Sequence, residues 1–230
     1  MSKDFSLIFG SSGFVGSKVI NLLNQKKNIV YAPVRSSQKN SSENTKEIIL
    51  EDHNLSSLEI PHIKQAYICL GTKLRAWELL KMSQSKREEF IKVDFEIILD
   101  AARKSSSSGA ETISLISAVG VKPGSFNFYM DIKGRVEEEI IDLGFKSVNI
   151  FRPGHLIGKG IDSDWDVKFA DFICKITDNF MFGPFSKFKS IDGNTVARSM
   201  VLETQKNKPG INYFYFNEMI QSLIIDTPSL

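Results

Sequence analysis

Tyr129-Met130-Asp131-Ile132-Lys133 sets a phenol and an amine four residues apart, stacked on one face of a helix. A phenol with a pKa of about 10 is a poor acid/base at neutral pH, and a nearby ammonium favours its phenolate form. The spacing therefore predicts a downward shift at Tyr129, toward the working range of a general acid/base. Ser117 lies upstream at the end of an apolar run, where its hydroxyl could bond the same substrate oxygen. Tyr-x-x-x-Lys alone recurs by chance. Its meaning depends on the elements that hold it.

Those elements begin at Phe5–Phe9, a short apolar strand followed by Gly10-Ser11-Ser12-Gly13-Phe14-Val15-Gly16 and a helix-like run from Lys18 to Leu23. Strand, glycine-rich turn and helix in that order form a phosphate cradle. Gly10 permits the tight turn, Gly13 lets the backbone approach a pyrophosphate, and Gly16 allows close helix–strand packing. The helix N-terminus then faces the phosphates. A bare βα turn is the alternative.

Ile29–Val34 reads as the second strand, followed by Arg35-Ser36-Ser37. An acid at this strand end binds a free ribose 2′-hydroxyl, whereas an arginine suits a 2′-phosphate. Arg35 thus argues for NADP over NAD, against the alternative of an ordinary surface arginine. Glu47–Leu50 is a third strand with Asp52 beyond it, either at the adenine or capping a turn. Gln65–Leu70 is the fourth, ending in Gly71-Thr72, where the glycine leaves room for a cofactor or merely turns the chain.

Residues 83–104 carry apolar side chains in helical rhythm, and Ser105–Gly109 reads as a flexible link. Thr112–Ser117 is a fifth strand, Phe126–Leu143 a helix stopped by Gly144, and Ser147–Phe151 a sixth strand. A final helix over Asp192–Gln205 is capped at Asp192 or Asn194. Asn212–Phe216 is a last strand, and the tail after Asp226 frays. The β–α alternation predicts an α/β class: a Rossmann-like, doubly wound parallel sheet in three α/β/α layers. Residues 1–230 form one domain, with a cofactor core at 1–151 and a small substrate-side region at 152–230. Ligands of such sheets bind beyond the carboxyl ends of the strands, where the glycine turn, Arg35, Gly71 and Ser117 converge.

The chain resembles the short-chain dehydrogenase/reductase superfamily in its extended or atypical, NmrA-like branch, and most of all the Tat-interacting-protein type of oxidoreductase. The resemblance rests on the Gly10–Gly16 turn, Cys69-Leu70-Gly71-Thr72, Val93-Asp94, Leu115-Ile116-Ser117-Ala118, Phe126 to Lys133 with Gly134, and Phe151-Arg152-Pro153-Gly154. It implies NADP(H) as cofactor and Ser117, Tyr129 and Lys133 as the catalytic set, with Lys133 also holding the nicotinamide ribose. Many relatives have an asparagine where this chain has Asp94. There it supports a water-linked proton relay, and here a capping or surface aspartate is the alternative. Arg152-Pro153-Gly154 resembles the turn that leads to the nicotinamide and substrate pocket, with a purely structural Arg152 as the alternative.

After Gly154 the pattern changes. His155 and Phe126 are substrate-side candidates, and Trp165, Phe169, Phe172, Ile173 and Ile176 with the aromatic run Phe180–Phe188 are core or pocket lining. The expected activity is reduction of a small carbonyl or quinone-like compound. A nucleotide-sensing regulatory protein is the alternative.

Lys and Arg total 29 against 27 Asp and Glu, a balance unlike that of nucleic-acid binders. The two cysteines, Cys69 and Cys174, match no metal spacing, and a buried Cys69 thiol is expected. No apolar run approaches the ~20 residues of a membrane span. No basic–apolar–small leader or disulfide framework is visible. These features predict a cytoplasmic protein acting on a small molecule, with no metal, nucleic acid or membrane partner. Monomer and homodimer both stay open.

Overall fold

The computed structural model describes residues 5–37, 42–50, 55, 58–79, 81–158 and 183–225. Asp52, the aromatic residues 165–182, Cys174 and the tail from Asp226 lie outside the described residues.

β1 (Phe5–Phe9), β2 (Ile29–Val34), β3 (Thr45–Ile49), β4 (Gln65–Ile68), β5 (Thr112–Ile116), β6 (Ser147–Phe151) and β9 (Gly210–Phe214) form one seven-stranded sheet. Their order is β3-β2-β1-β4-β5-β6-β9, and every pairing is parallel. Strand side chains alternate between two cores, as a sheet covered on both faces requires. Leu7, Phe9, Ala66 and Ile68 face the layer built from α3 (Ile98–Ser107) and α4 (Phe128–Asp142). Ile8, Tyr67 and Phe151 face α1 (Gly16–Gln25), α5 (Gly193–Lys206) and α6 (Phe216–Ile225). The strand order reverses between β1 and β4, and a crevice opens at the carboxyl ends of strands at such a switch point.

Several boundaries differ from the sequence reading. The expected helix over 83–104 is α2 (Gln84–Ile91), a π-helical segment (Lys92–Ile97) and α3. The serine run is not a flexible link. α3 continues to Ser107, with Ser105 buried and its hydroxyl donating to the Ala101 carbonyl at 2.7 Å. This back-bond holds serine in a helix. β9 begins at Gly210 rather than Asn212, and α6 follows where no helix was expected. A two-stranded parallel pair, β7 (Leu156–Ile157) with β8 (Ile191–Asp192), adds a second small sheet.

The helix expected over Phe126–Leu143 starts later, at Phe128, where Asn127 Oδ1 accepts the Met130 N–H at 3.1 Å; Gly144 follows its end at φ +75°, as expected. Asp192 Oδ1 accepts the Asn194 N–H at 2.8 Å and starts α5.

A polar ladder fixes α5 to the sheet. Thr204 Oγ1 lies 2.6 Å from Ser114 Oγ, which accepts from Asn149 Nδ2 at 3.2 Å. Asn149 Oδ1 in turn accepts from Asn212 Nδ2 at 3.2 Å. Buried amides and hydroxyls need such partners. Thr204→Val keeps the shape but removes the Oγ1 bonds, so urea unfolding should show a loss of about 1–3 kcal/mol. Thr204→Ser should recover most of it.

Candidate active site

The glycine turn is built by contact between β1 and β4. Gly10 sits at φ +81°, and a Cβ there would lie 2.5 Å from the Cys69 carbonyl oxygen. A Cβ on Gly16 would lie 2.0 Å from the Gly10 oxygen, and Gly13 donates its N–H to that oxygen at 2.9 Å. Only hydrogen fits at Gly10 and Gly16. No side chain caps the N-terminus of α1, and uncapped N–H groups at a helix start are suited to an anion.

Around the turn, Ser11 is buried and Ser12 exposed, while Val15 packs into the α1-side core. The Phe14 side chain leaves the cradle. A Cβ on Gly193 would meet its ring at 2.5 Å, and Lys18 Nζ stands 4.0 Å from the ring centroid. Phe14 therefore ties the turn to the start of α5. Arg35, Ser36 and Ser37 are exposed just past β2, and Ser37 Oγ donates to Glu47 at 2.9 Å.

On the other side of the switch point, Leu70, Gly71 and Thr72 leave β4 directly over a buried ion pair. Lys133 Nζ lies 2.8 Å from Asp94 Oδ1. Asp94 is 1% exposed and its Oδ2 accepts the Thr72 N–H at 2.7 Å. A Cβ on Gly71 would stand 3.5 Å from Asp94 Oδ1 and 3.9 Å from Lys133 Nζ. The π-helical turn carries Asp94 inward, as such wide turns often do at functional sites. Asp94 is thus neither a cap nor a surface residue.

Tyr129 sits one helical turn before Lys133, its ring 5.4 Å from that of buried Phe90. The sequence expectation for its acidity is corrected. Burial pushes the phenol upward; Lys133 pulls it down, and Asp94 opposes that pull. Desolvation and a neutralised partner outweigh the ammonium. At Lys133 burial acts to lower the pKa, yet Asp94, Tyr129 and Glu137 together carry it upward and keep the charge.

Ser117 follows β5 directly, with its N–H on the Phe151 carbonyl at 2.7 Å. Its buried hydroxyl has no hydrogen-bond partner among the described residues, and the Thr72 hydroxyl is alike in this. The loop after Ser117 reaches Gly120, where a Cβ would lie 3.7 Å from the Met130 methyl beside Tyr129. Burial pushes the thiol of the free, half-buried Cys69 up to about 12.

The segment after β6 is a wall. Arg152 grips buried Glu137 through Nε at 3.0 Å and through Nη2, and its Nη1 donates to the Tyr215 hydroxyl at 2.7 Å. Its guanidinium stands 4.6 Å from the Tyr213 ring centroid. These bonds commit the side chain to fastening α4 to β6 and β9. Pro153 accepts the Val119 N–H at 3.0 Å, and a Cβ on Gly154 would meet the Lys189 oxygen at 2.5 Å. His155 gives its carbonyl to Ile191 N at 2.9 Å, while Phe126 is fully exposed just before the cap of α4. Sequence reasoning missed Glu137, although it continues the Tyr129–Lys133 face by one more turn.

No family model matches the chain. Among curated relatives, the FMP52 protein of Candida albicans is 27% identical over 212 residues, covering 90% of this chain and 89% of its own. The Candida glabrata FMP52 is 26% identical over 231 residues, covering 96% of each. The Meyerozyma guilliermondii FMP52 is 29% identical over 156 residues, covering 67% of this chain and 66% of its own. All three are named mitochondrial, which overturns the cytoplasmic expectation. Cysteine usage alone does not separate the cytosol from other reducing compartments.

Among solved structures, human epimerase family protein SDR39U1 with NADPH superposes at a TM-score of 0.66 and 15% identity, covering 92% of this chain and 74% of its own. A short-chain dehydrogenase family protein of Francisella tularensis gives 0.65 at 16%, covering 96% of this chain and 100% of its own.

Truncating Arg152 would strand a buried carboxylate. Arg152→Met should lower stability in urea by about 3–5 kcal/mol, and pairing it with Glu137→Leu should restore most of the loss. The chain has a Rossmann-like α/β fold, the fold of the epimerase-family and short-chain dehydrogenase proteins on which it superposes.

Proposed function

We propose that the chain is an NADPH-dependent oxidoreductase that reduces a small carbonyl or quinone-like substrate, with Ser117, Tyr129 and Lys133 as its catalytic set. The observation that carries this reading is the buried, unpartnered Ser117 hydroxyl on the same sheet edge as Tyr129 and the Lys133 ammonium. A hydroxyl left without a partner in the interior is destabilising unless a ligand completes it. The Gly10–Gly16 cradle, the space over Gly71 and the free Thr72 hydroxyl fit a dinucleotide.

A reduced nicotinamide bound here would supply a hydride, its electron pair passing to the carbonyl carbon. The Ser117 hydroxyl orients the carbonyl oxygen. Tyr129 delivers its phenolic proton to that oxygen as charge develops, and solvent returns a proton to the phenolate. Lys133 steadies the transient phenolate and, in this reading, the nicotinamide ribose.

Arg35 supports NADP over NAD, because an exposed guanidinium at the end of β2 suits a 2′-phosphate. The names of the fungal relatives extend to this chain as part of the same proposal, which places its work in the mitochondrion.

Fluorescence titration should show NADPH binding at least about tenfold tighter than NADH, a difference of about 1.4 kcal/mol, and Arg35→Ala should erase the preference. Preference for NADH with Arg35 intact overturns the cofactor assignment. Tyr129→Phe should leave NADPH binding unchanged while reducing turnover of a carbonyl substrate by about 10²–10⁴-fold.

A further inference from the structure

A tyrosine–lysine pair alone leaves the ammonium free to draw a proton off the phenol. In this chain that ammonium already has a partner. Lys133 Nζ lies 2.8 Å from Asp94 Oδ1, and with both side chains buried the attraction is little screened. The Thr72 N–H at 2.7 Å holds the other carboxylate oxygen, so the anion is fixed from two sides.

The remaining surroundings of Tyr129 do not alter this balance. α2 offers the apolar ring of Phe90, and its Arg87 stands 5.0 Å from the centroid of the Phe128 ring. Glu137 flanks Lys133 on α4 but is itself gripped by Arg152. Tyr129 therefore faces one cation and one anion that offset each other, in a half-buried setting.

We propose that Asp94 is a positioning residue that draws the Lys133 ammonium to itself and keeps Tyr129 as a neutral proton donor, committing the site to carbonyl reduction. This rests on the oxidoreductase reading above. Reduction begins from the phenol, whereas oxidation of the product alcohol begins from the phenolate acting as base. A phenol raised by burial, with its cation neutralised, stays in the donating form through neutral pH. That form is lost only as pH rises through the raised value. Removing the Asp94 charge frees the ammonium for Tyr129 and brings that loss toward neutral pH.

The test is an ultraviolet tyrosinate titration of the ligand-free protein, with Tyr129 isolated as the difference between each protein and its Tyr129→Phe counterpart. Asp94→Asn should lower the Tyr129 midpoint by about one pH unit or more, tenfold in proton affinity, while Asp94→Glu should stay near the parent. Circular dichroism checks the fold, and Asp94→Ser replaces the asparagine variant if that variant does not fold. A midpoint that is unmoved or higher without the charge overturns the proposal. The measurement uses neither cofactor nor substrate, so it separates this proposal from the oxidoreductase reading, which stands or falls on NADPH binding.

Discussion

A buried ammonium must be paired, and the pairing of Lys133 with Asp94 organises the candidate site of this molecule. Charges taken out of water are tolerated only with a close counter-charge and further hydrogen bonds. Here the counter-charge comes from a π-helical turn and the further bond from the Thr72 amide. The pair thus joins three elements: α4, the helix through residue 94, and the chain leaving β4. Gly71 lies over the contact, where a Cβ would stand in ordinary contact with Asp94 Oδ1 and Lys133 Nζ. The position of Tyr129 follows, since it sits one helical turn from the anchored lysine.

The Gly10–Gly16 turn depends on a steric constraint instead. Gly10 meets the Cys69 carbonyl, and Gly16 meets the Gly10 carbonyl, so the β1 turn and the end of β4 are closed against each other without side chains. This contact falls where the strand order reverses. The cradle and the ion pair therefore share one edge, although they are built from opposite sides of the switch point.

Most of this frame was legible in the sequence because it has a period. Strands buried on both faces write continuous apolar runs, and the βα alternation leaves only a parallel sheet. The glycine turn and the Tyr129–Lys133 spacing were legible because they are local. What was missed is non-local. Nothing near Arg152 in sequence announces that Glu137 and Tyr215 will take its guanidinium. Nothing near Phe14 shows that its ring will leave the phosphate turn for Gly193. The serine run at 105–107 looked like a link because serine favours turns, yet the back-bond of Ser105 and its burial carried the helix on. The acidity of Tyr129 went the wrong way for the same reason. Spacing displayed the cation on its own helix and hid both the burial and the anion brought by another.

Along α4 the residues Tyr129, Lys133 and Glu137 form one ladder, and each charged rung is met from a different direction. Asp94 takes Lys133 from the α2–α3 side, and Arg152 takes Glu137 from the strand side. Without Arg152, Glu137 would compete for the Lys133 ammonium from below, since the two sit one turn apart on the same helix. The guanidinium binds both carboxylate oxygens of Glu137 through its Nε and Nη2 and so limits that competition. The arginine that the sequence offered as a cofactor contact thus fastens α4 to β6 and β9. By holding Glu137, it leaves burial, Lys133 and Asp94 as the influences on the Tyr129 phenol.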